Sequence, residues 1–444
     1  MRRAMIAISL SVLLMALVIS SFFLLNIKPD TSHITKAQKL AEYSKPAVVR
    51  IVDYAIVKWD FVDDNPAVSN YLQQMNNQTI IGGSGSGAII SSNGYIVTNA
   101  HVVEFSKMDD EQIAYAAFKQ MVQGIADYFQ VDVNAAYDYM IDYTQYVDIK
   151  RGLKVILPGG DVLDGEIKSY GAPINEGKDV AVLKIEGKNF PTLKLGNSDD
   201  VQNQDNIWVI GYPAAADSDL LSPDSSLVSS MNTGHISAAS KKTEQGSPVI
   251  QIDAAATHGN SGGPVINENG EIIGLLTFRG DTVNGQEVQG FNFAVPVNTV
   301  KEFVKQAGAE NIVSNTDRLF QEGLTLYWGG YYDEALKKFE SVERIYPNHS
   351  EIKRFITDSQ QKSSKSKTLW SNYKTIFYIF DAIALLLIVA LMLFAFVFKP
   401  KQKEMAIVTP GNLPDLNQDG KVDIQDVLIA LQKQQNKQDD NNEK

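Results

Sequence analysis

Two stretches near the ends of the chain are apolar almost without interruption, and between them the pattern changes twice. Residues 4–27 carry no charge, and residues 375–398 carry only Asp381. Each is the length a helix needs to cross a bilayer. From residue 45 to residue 300 the apolar positions fall in short runs: AVVRIVDYAIV, GAIISSNGYIVTNA, VAVLKI, NIWVIGY, PVIQIDAA and EIIGLLTF, separated by Gly, Asn and Asp. Runs of this length between turn formers predict strands, and SSNG between two of them predicts a hairpin. Many such strands imply a mostly β domain, a barrel or a sandwich. Residues 104–148 break the pattern. They are rich in Ala, Met, Gln, Asp and Tyr and predict two or three inserted helices, serving either as a surface excursion or as a lid or docking surface. From about 316 to 361 the period is helical, and a polar linker over 362–374 leads to the second apolar segment.

Charge and composition narrow the class. The net charge of -12 argues against a nucleic-acid partner. With no cysteine, disulfides, thiolate zinc sites and cysteine catalysis are excluded, and stability must come from a hydrophobic core. The first apolar segment ends in SSFFLLNIK, without a small-residue cleavage site, so an uncleaved anchor is expected. With residues 1–3, including Arg2 and Arg3, inside the cell, residues 28–374 lie outside and the tail 399–444 returns to the cytoplasm. Lys399, Lys401 and Lys403 agree with this two-span topology, whereas Lys362, Lys365, Lys367 and Lys374 flank the outer side of the second span.

The chemistry sits in three short stretches. THGNSGGPVIN (257–267) sets Ser261 among Gly259, Gly262 and Gly263, residues that let a backbone approach a ligand closely. A tight turn would use the same residues; a nucleophile would need a base. GYIVTNAHVV supplies His101 at the end of a strand, and GKDVAVLKI supplies Asp179 at the start of another. A serine hydroxyl is a poor nucleophile until an imidazole accepts its proton, and the imidazole needs its other nitrogen held, which a buried carboxylate does. The order His, Asp, Ser is that of the chymotrypsin-type triad.

TNAHVV, the Asp–Val–Ala–Val–Leu–Lys run and QIDAAATHGNSGGPVIN together resemble the protease Do (HtrA/Deg) branch of trypsin-like serine peptidases, over roughly residues 40–300 of a protease domain expected at 35–308 and interrupted by the helical insertion. The resemblance implies two six-stranded β-barrels with the site in the cleft between them, and an endopeptidase cleaving unfolded or specific envelope proteins through an acyl-enzyme. It makes His101 the general base, Asp179 its orienting acid and Ser261 the nucleophile, with Gly259, Asn260 and Ser261 forming the oxyanion-hole loop through the N–H groups of Gly259 and Ser261. No cofactor is expected for catalysis. The primary pocket is expected at Ala255, which replaces the acid that trypsins keep six positions before the serine, with Phe278, Phe291 and Phe293 as walls. His258 stands where the family usually has Pro. Where the family usually carries PDZ domains, a tetratricopeptide-like unit and a second apolar span are expected instead. The competing reading is a catalytically silent protease fold serving as a membrane scaffold.

Two further modules are expected. Gly323, Ala335, Phe339 and Pro347 fall at the offsets of one tetratricopeptide unit (316–361), which resembles a single repeat. One repeat cannot bury its own faces, so it should pack on the protease domain, on a protein partner, or on another copy in a homo-oligomer. In the tail, DLNQDGKVDIQD resembles a dockerin or EF-hand calcium loop (415–426). Asp415, Asn417, Asp419, Asp423 and Asp426 supply side chains, the Lys421 carbonyl supplies position seven and Gly420 the sharp turn. Position twelve is Asp rather than Glu, and the second loop of a pair is missing. The topology places this loop in the cytoplasm, where free calcium is scarce.

Overall fold

The computed structural model describes residues 2–62, 65–214, 222–279, 290–397 and 414–439, which fall into two compact units. The larger, Lys28–Leu369, holds two seven-stranded sheets. The first sheet is built from β1 (Val48–Phe61), β2 (Gln78–Ile89), β3 (Tyr95–Thr98), β4 (Thr144–Ile156), β5 (Val162–Asp164), β6 (Glu166–Tyr170) and β7 (Ala181–Lys184). The second is built from β8 (Lys194–Leu195), β9 (Asn206–Gly211), β10 (Ser230–Lys242), β11 (Pro248–Ile252), β12 (Pro264–Ile266), β13 (Glu271–Arg279) and β14 (Asn292–Pro296).

Seven strands per sheet differ from the six expected, and the pairings show why. In the first sheet β5 pairs with β4, while β6 pairs with β7. The two are one strand bent at Gly165, whose N–H still bonds Leu153 O at 2.9 Å. Counted so, six strands close a barrel. In the second sheet β12 pairs with both β9 and β13, closing six strands. Short β8 adds in parallel on β13. Alternation drives the closure: along β1 buried Val49, Ile51, Ala55, Val57 and Trp59 recur at every second position or nearly so, the period of a strand with one face inside. Ile51, Ile96, Leu183 and Ile185 fill the first barrel, and Ile207, Ile236, Ile252 and Leu276 fill the second. A third cluster, with Val48, Ala88 and Val182 from one sheet and Trp208, Ile210 and Val295 from the other, joins them.

The segment after His101 forms two helices, Asp110–Phe129 and Val133–Tyr143, and β4 begins immediately afterwards. Asp109 caps the first, its side chain accepting the Gln112 N–H at 2.8 Å while Gln112 accepts the Asp109 N–H in return, the reciprocal arrangement of a capping box. Ile113, Phe118, Val122 and Met140 pack on Trp59, Ile81 and the extra helix Pro66–Gln74. The insertion therefore has its own core on the protruding ends of β1, β2 and β4. Such burial at roughly 25 cal/mol per Å² fixes it as a body rather than a loose flap.

Helices Asn315–Gly329, Tyr332–Ile345 and Ile352–Lys362 come after the second barrel. Phe320, Leu324, Ala335, Phe339, Val342 and Phe355 form their common core. Gly323 lies flat against Phe339, where a Cβ would come within 2.6 Å of the ring, and Gly330 ends the first helix in the left-handed region at φ 85°. This helical unit packs on the first barrel: Phe190 meets Tyr346 edge to face at 5.7 Å, and Thr316 Oγ1 donates to Asn189 O at 2.8 Å.

The smaller unit comprises Met1–Ile27 and Trp370–Lys444. Its helices Arg2–Leu25 and Lys374–Phe396 are long and apolar enough to cross a membrane. They pair through small residues, Ala7, Ser11, Ser21 and Ala384 being buried, and Ser21 Oγ donates to Asp381 Oδ2 at 2.6 Å. Lys399, Lys401 and Lys403 lie outside the described residues. A turn at 415–423 leads into helix Ile424–Asp439.

Candidate active site

The chain after β3 makes a short helical turn, His101–Val103, and the segment before β7 begins at Asp179; β3 and β7 are paired neighbours, with Thr98 opposite Ala181. That pairing brings His101 and Asp179 together across 78 residues of chain. Asp179 is fully buried. Its Oδ2 lies 2.7 Å from His101 Nδ1 and its Oδ1 accepts the His101 backbone N–H at 3.0 Å. The carboxylate thus grips the histidine at ring and backbone, and Nε2 is the ring nitrogen it does not engage. Burial alone would lower the His101 pKa; the hydrogen bond to Asp179 and the charges of Asp179 and Glu104 outweigh it and hold it above the usual value.

Thr277, on β13, carries no mark in the sequence that singles it out. Its Oγ1 donates to Asp179 Oδ2, and its carbonyl accepts from Ser261 Oγ at 3.3 Å. It therefore touches both the acid and the serine. Only the register of β13 beside the serine loop brings it there. Among the described residues no hydrogen bond joins Ser261 Oγ to the His101 ring, the hydroxyl being turned to Thr277 O; nucleophile–base bonds are often loose in the absence of substrate.

Three consecutive peptide units shape the loop before Ser261. The His258 carbonyl accepts the Ala214 N–H at 2.7 Å, so the trans-opposed Gly259 N–H points the other way. The Gly259–Asn260 unit is held at both ends, its carbonyl by Ser86 Oγ at 2.7 Å and its N–H by Thr257 O at 3.1 Å. The Asn260 carbonyl accepts the Gly263 N–H at 2.9 Å. Gly259 and Ser261 N–H find no acceptor among the described residues, whereas the N–H of buried Asn260 is spent inside the loop on Thr257 O. Gly259 (φ 91°) and Gly262 (φ 81°) take left-handed conformations, and a Cβ on Gly262 would come within 2.2 Å of Ser86 O.

The pocket residues are only partly gathered. Ala254 and Ala256 are buried, while Ala255 is exposed and its carbonyl accepts from Asn232 Nδ2 at 2.8 Å. Phe291 is 51% exposed, and Phe293 is half-buried with Lys241 Nζ 5.9 Å from its ring centre. Backbone pairing sets Phe278 opposite Phe293, but the Phe278 side chain lies outside the described ones. In the tail, Asp415 accepts the Gly420 N–H at 2.8 Å and Asp426 accepts those of Leu416, Asn417 and Asp423 at 2.6, 3.1 and 3.0 Å. Asn417 Nδ2 donates to Asp419 Oδ2 at 3.1 Å. Among the described residues no three His, Cys, Asp or Glu side chains come together as a metal site.

Residues 85–275 match the trypsin-like peptidase domain family. Among curated proteins, the chain is 32% identical over 232 residues to the "Probable periplasmic serine endoprotease DegP-like" of Halomonas elongata, covering 52% of this chain and 36% of that one. It is 28% identical over 235 residues to the mitochondrial serine protease HTRA2 of Bos taurus, covering 51% and 37%. The chain thus spans less than half the length of these relatives. A solved structure, "HtrA-type protease AlgW with decapeptide", is similar at 22% identity with a TM-score of 0.39, covering 62% of this chain and 67% of that one.

Proposed function

We propose that this protein is a membrane-anchored serine endopeptidase of the HtrA/Deg type. The observation that carries the reading is the pairing of a doubly gripped His101–Asp179 dyad with two unspent N–H groups, of Gly259 and Ser261, flanking the candidate nucleophile. His101 Nε2 takes the proton of Ser261 Oγ as it attacks a peptide carbonyl, and Asp179 stabilises the imidazolium so formed. The oxyanion receives the two N–H groups, worth roughly 10²–10³ in rate per donor. His101 then returns the proton to the leaving amine, and water hydrolyses the acyl-enzyme by the same steps.

Two apolar helices joined by the Ser21–Asp381 bond support anchoring, and Arg2 and Arg3 ahead of the first support a protease outside the cell. The glycine and aromatic offsets of residues 316–361 support a tetratricopeptide-like unit, and its packing on Phe190 and Thr192 supplies the partner that a lone repeat needs. The spacing of Asp415, Asn417, Asp419, Asp423 and Asp426 supports a calcium loop, since a carboxylate has about four lone-pair sites and these accept at most three N–H groups each.

The deciding experiment is fluorophosphonate labelling together with cleavage of an unfolded protein. Wild type should label and cleave; Ser261→Ala, His101→Ala and Asp179→Ala should not cleave. The triple variant should be little worse than Ser261→Ala alone, because the three act as a unit. A wild-type protein that neither labels nor cleaves would leave the silent scaffold as the better account.

A further inference from the structure

A side chain from outside the serine loop holds its backbone at Gly259. Ser86, on β2 of the first barrel, is fully buried and joins the loop to both barrels. Its Oγ donates to Gly259 O at 2.7 Å and accepts the Tyr212 N–H at 2.9 Å. Its N–H donates to Ser261 O at 2.7 Å, and its carbonyl accepts from Thr98 Oγ1 at 2.7 Å. We infer that Ser86 is a positioning residue for the oxyanion hole, acting through the Gly259–Asn260 peptide. The inference rests on the protease reading above and adds a side chain to a hole otherwise made of backbone.

Everything turns on which donor a single carbonyl finds. The Gly259–Asn260 peptide sits between the two peptides whose N–H groups face the reacting carbonyl, and rotating it turns both of its neighbours. Gly259 is free to rotate, having no Cβ. A buried carbonyl left without a donor is strongly disfavoured, so it settles wherever a donor is. Ser86 Oγ provides that donor on the side away from the substrate. Its own proton is committed there because the Tyr212 N–H, a donor, occupies its lone pair. Crowding keeps the hydroxyl in place: a Cβ on Gly211 would approach Ser86 Oγ to 2.9 Å, and one on Gly263 would lie 3.3 Å from Ser86 Cβ. Without the hydroxyl, the carbonyl is released to turn toward other donors, and the hole loses its geometry while His101 and Asp179 keep theirs.

The test compares full-length wild type with Ser86→Ala and Ser86→Cys, the latter nearly isosteric with a weaker donor. Rates are expressed per active site titrated to completion with a fluorophosphonate. Ser86→Ala should lower kcat at least ten-fold with KM within two-fold of wild type. The pH midpoint of kcat/KM should not move, and the affinity for a peptide boronate should fall by the same factor as kcat/KM. Ser86→Cys should be intermediate. An unchanged kcat per titrated site in Ser86→Ala overturns the inference, as does a loss accompanied by a shifted pH midpoint or by a matching rise in KM. Should Ser86→Ala yield no titratable sites, Ser86→Cys decides: full wild-type kcat overturns the inference, a partial loss at constant KM supports it. Failure of the wild type itself to titrate would instead overturn the protease reading.

Discussion

Asp317, at the third position of the first C-terminal helix, accepts the backbone N–H of Thr192 at 3.1 and 3.0 Å with its two carboxylate oxygens, and the Thr192 hydroxyl as well. Ser314, the cap of that helix, adds its N–H to the same carboxylate at 3.1 Å. One residue therefore closes the capping box of a helix and clasps the helical unit to the segment between the two barrels. Burial pushes its pKa up to about 6, against the opposing pull of the bonds from Thr192 and Ser314. A carboxylate whose folded pKa is raised binds its proton more tightly folded than unfolded. The folded state is thus favoured below the unfolded pKa and loses that advantage as pH rises through about 6. Wild-type stability relative to Asp317→Asn should fall by about 2–3 kcal/mol between pH 4 and pH 7. Parallel unfolding curves of the two proteins across that range would contradict it.

Catalysis should depend on pH through His101. Its pKa is held above the ordinary value of 6.5 by Asp179 and Glu104, and the imidazolium is inactive as a base. The kcat/KM profile should rise with pH through a midpoint above that value. Glu104→Gln removes a negative charge that favours the imidazolium, so it should lower the midpoint while leaving the plateau rate close to wild type. A pH series on both proteins measures it, and a midpoint that stays in place or rises would contradict the assignment.

Cleavage should follow small or medium apolar residues. Ala254 and Ala256 are buried and Ala255 carries no charge, so a Lys or Arg side chain would lose hydration without gaining a partner. A peptide-library profile dominated by basic residues at the cleaved bond would refute this.

The tail motif predicts coupled binding and folding. Four carboxylates and an amide crowded into residues 415–426 repel or compete until a cation gathers them. A peptide spanning residues 410–436 should gain helix on calcium titration, weakly, because a single loop lacks the partner that stiffens paired sites. Circular dichroism unchanged up to millimolar calcium, in wild type and Asp415→Ala alike, would reduce the motif to an acidic turn.

The candidate triad residues are legible because they stand in short strings. A strand ending in TNAHVV, a strand opening with Asp179 and a glycine-flanked Ser261 each constrain their own backbone, and the helical period after residue 316 announces a helical unit in the same local way. Asn260 is the exception within such a string: its place in the loop is readable, but the direction of its N–H is set by Thr257 O. The pocket fares similarly, since Ala255 sits at the expected position yet is exposed, its carbonyl tied to Asn232.

Local order thus decided which elements form and which residues are candidates for the chemistry: alternation makes strands, caps such as Thr35, Asp109 and Ser314 begin helices, and unbroken apolar runs make helices long enough to cross a membrane. What those strings could not carry was any relation that depends on register between distant strands. Thr277 reaches Asp179 only because β13 runs beside the serine loop. Ser86 meets Gly259 across 173 residues of chain, and Asp317 finds Thr192 across 125. The physical reason is that a side-chain hydrogen bond is short and directional, so its partner is chosen by the packing of two barrels and a helical unit, a choice that no periodicity along the chain encodes.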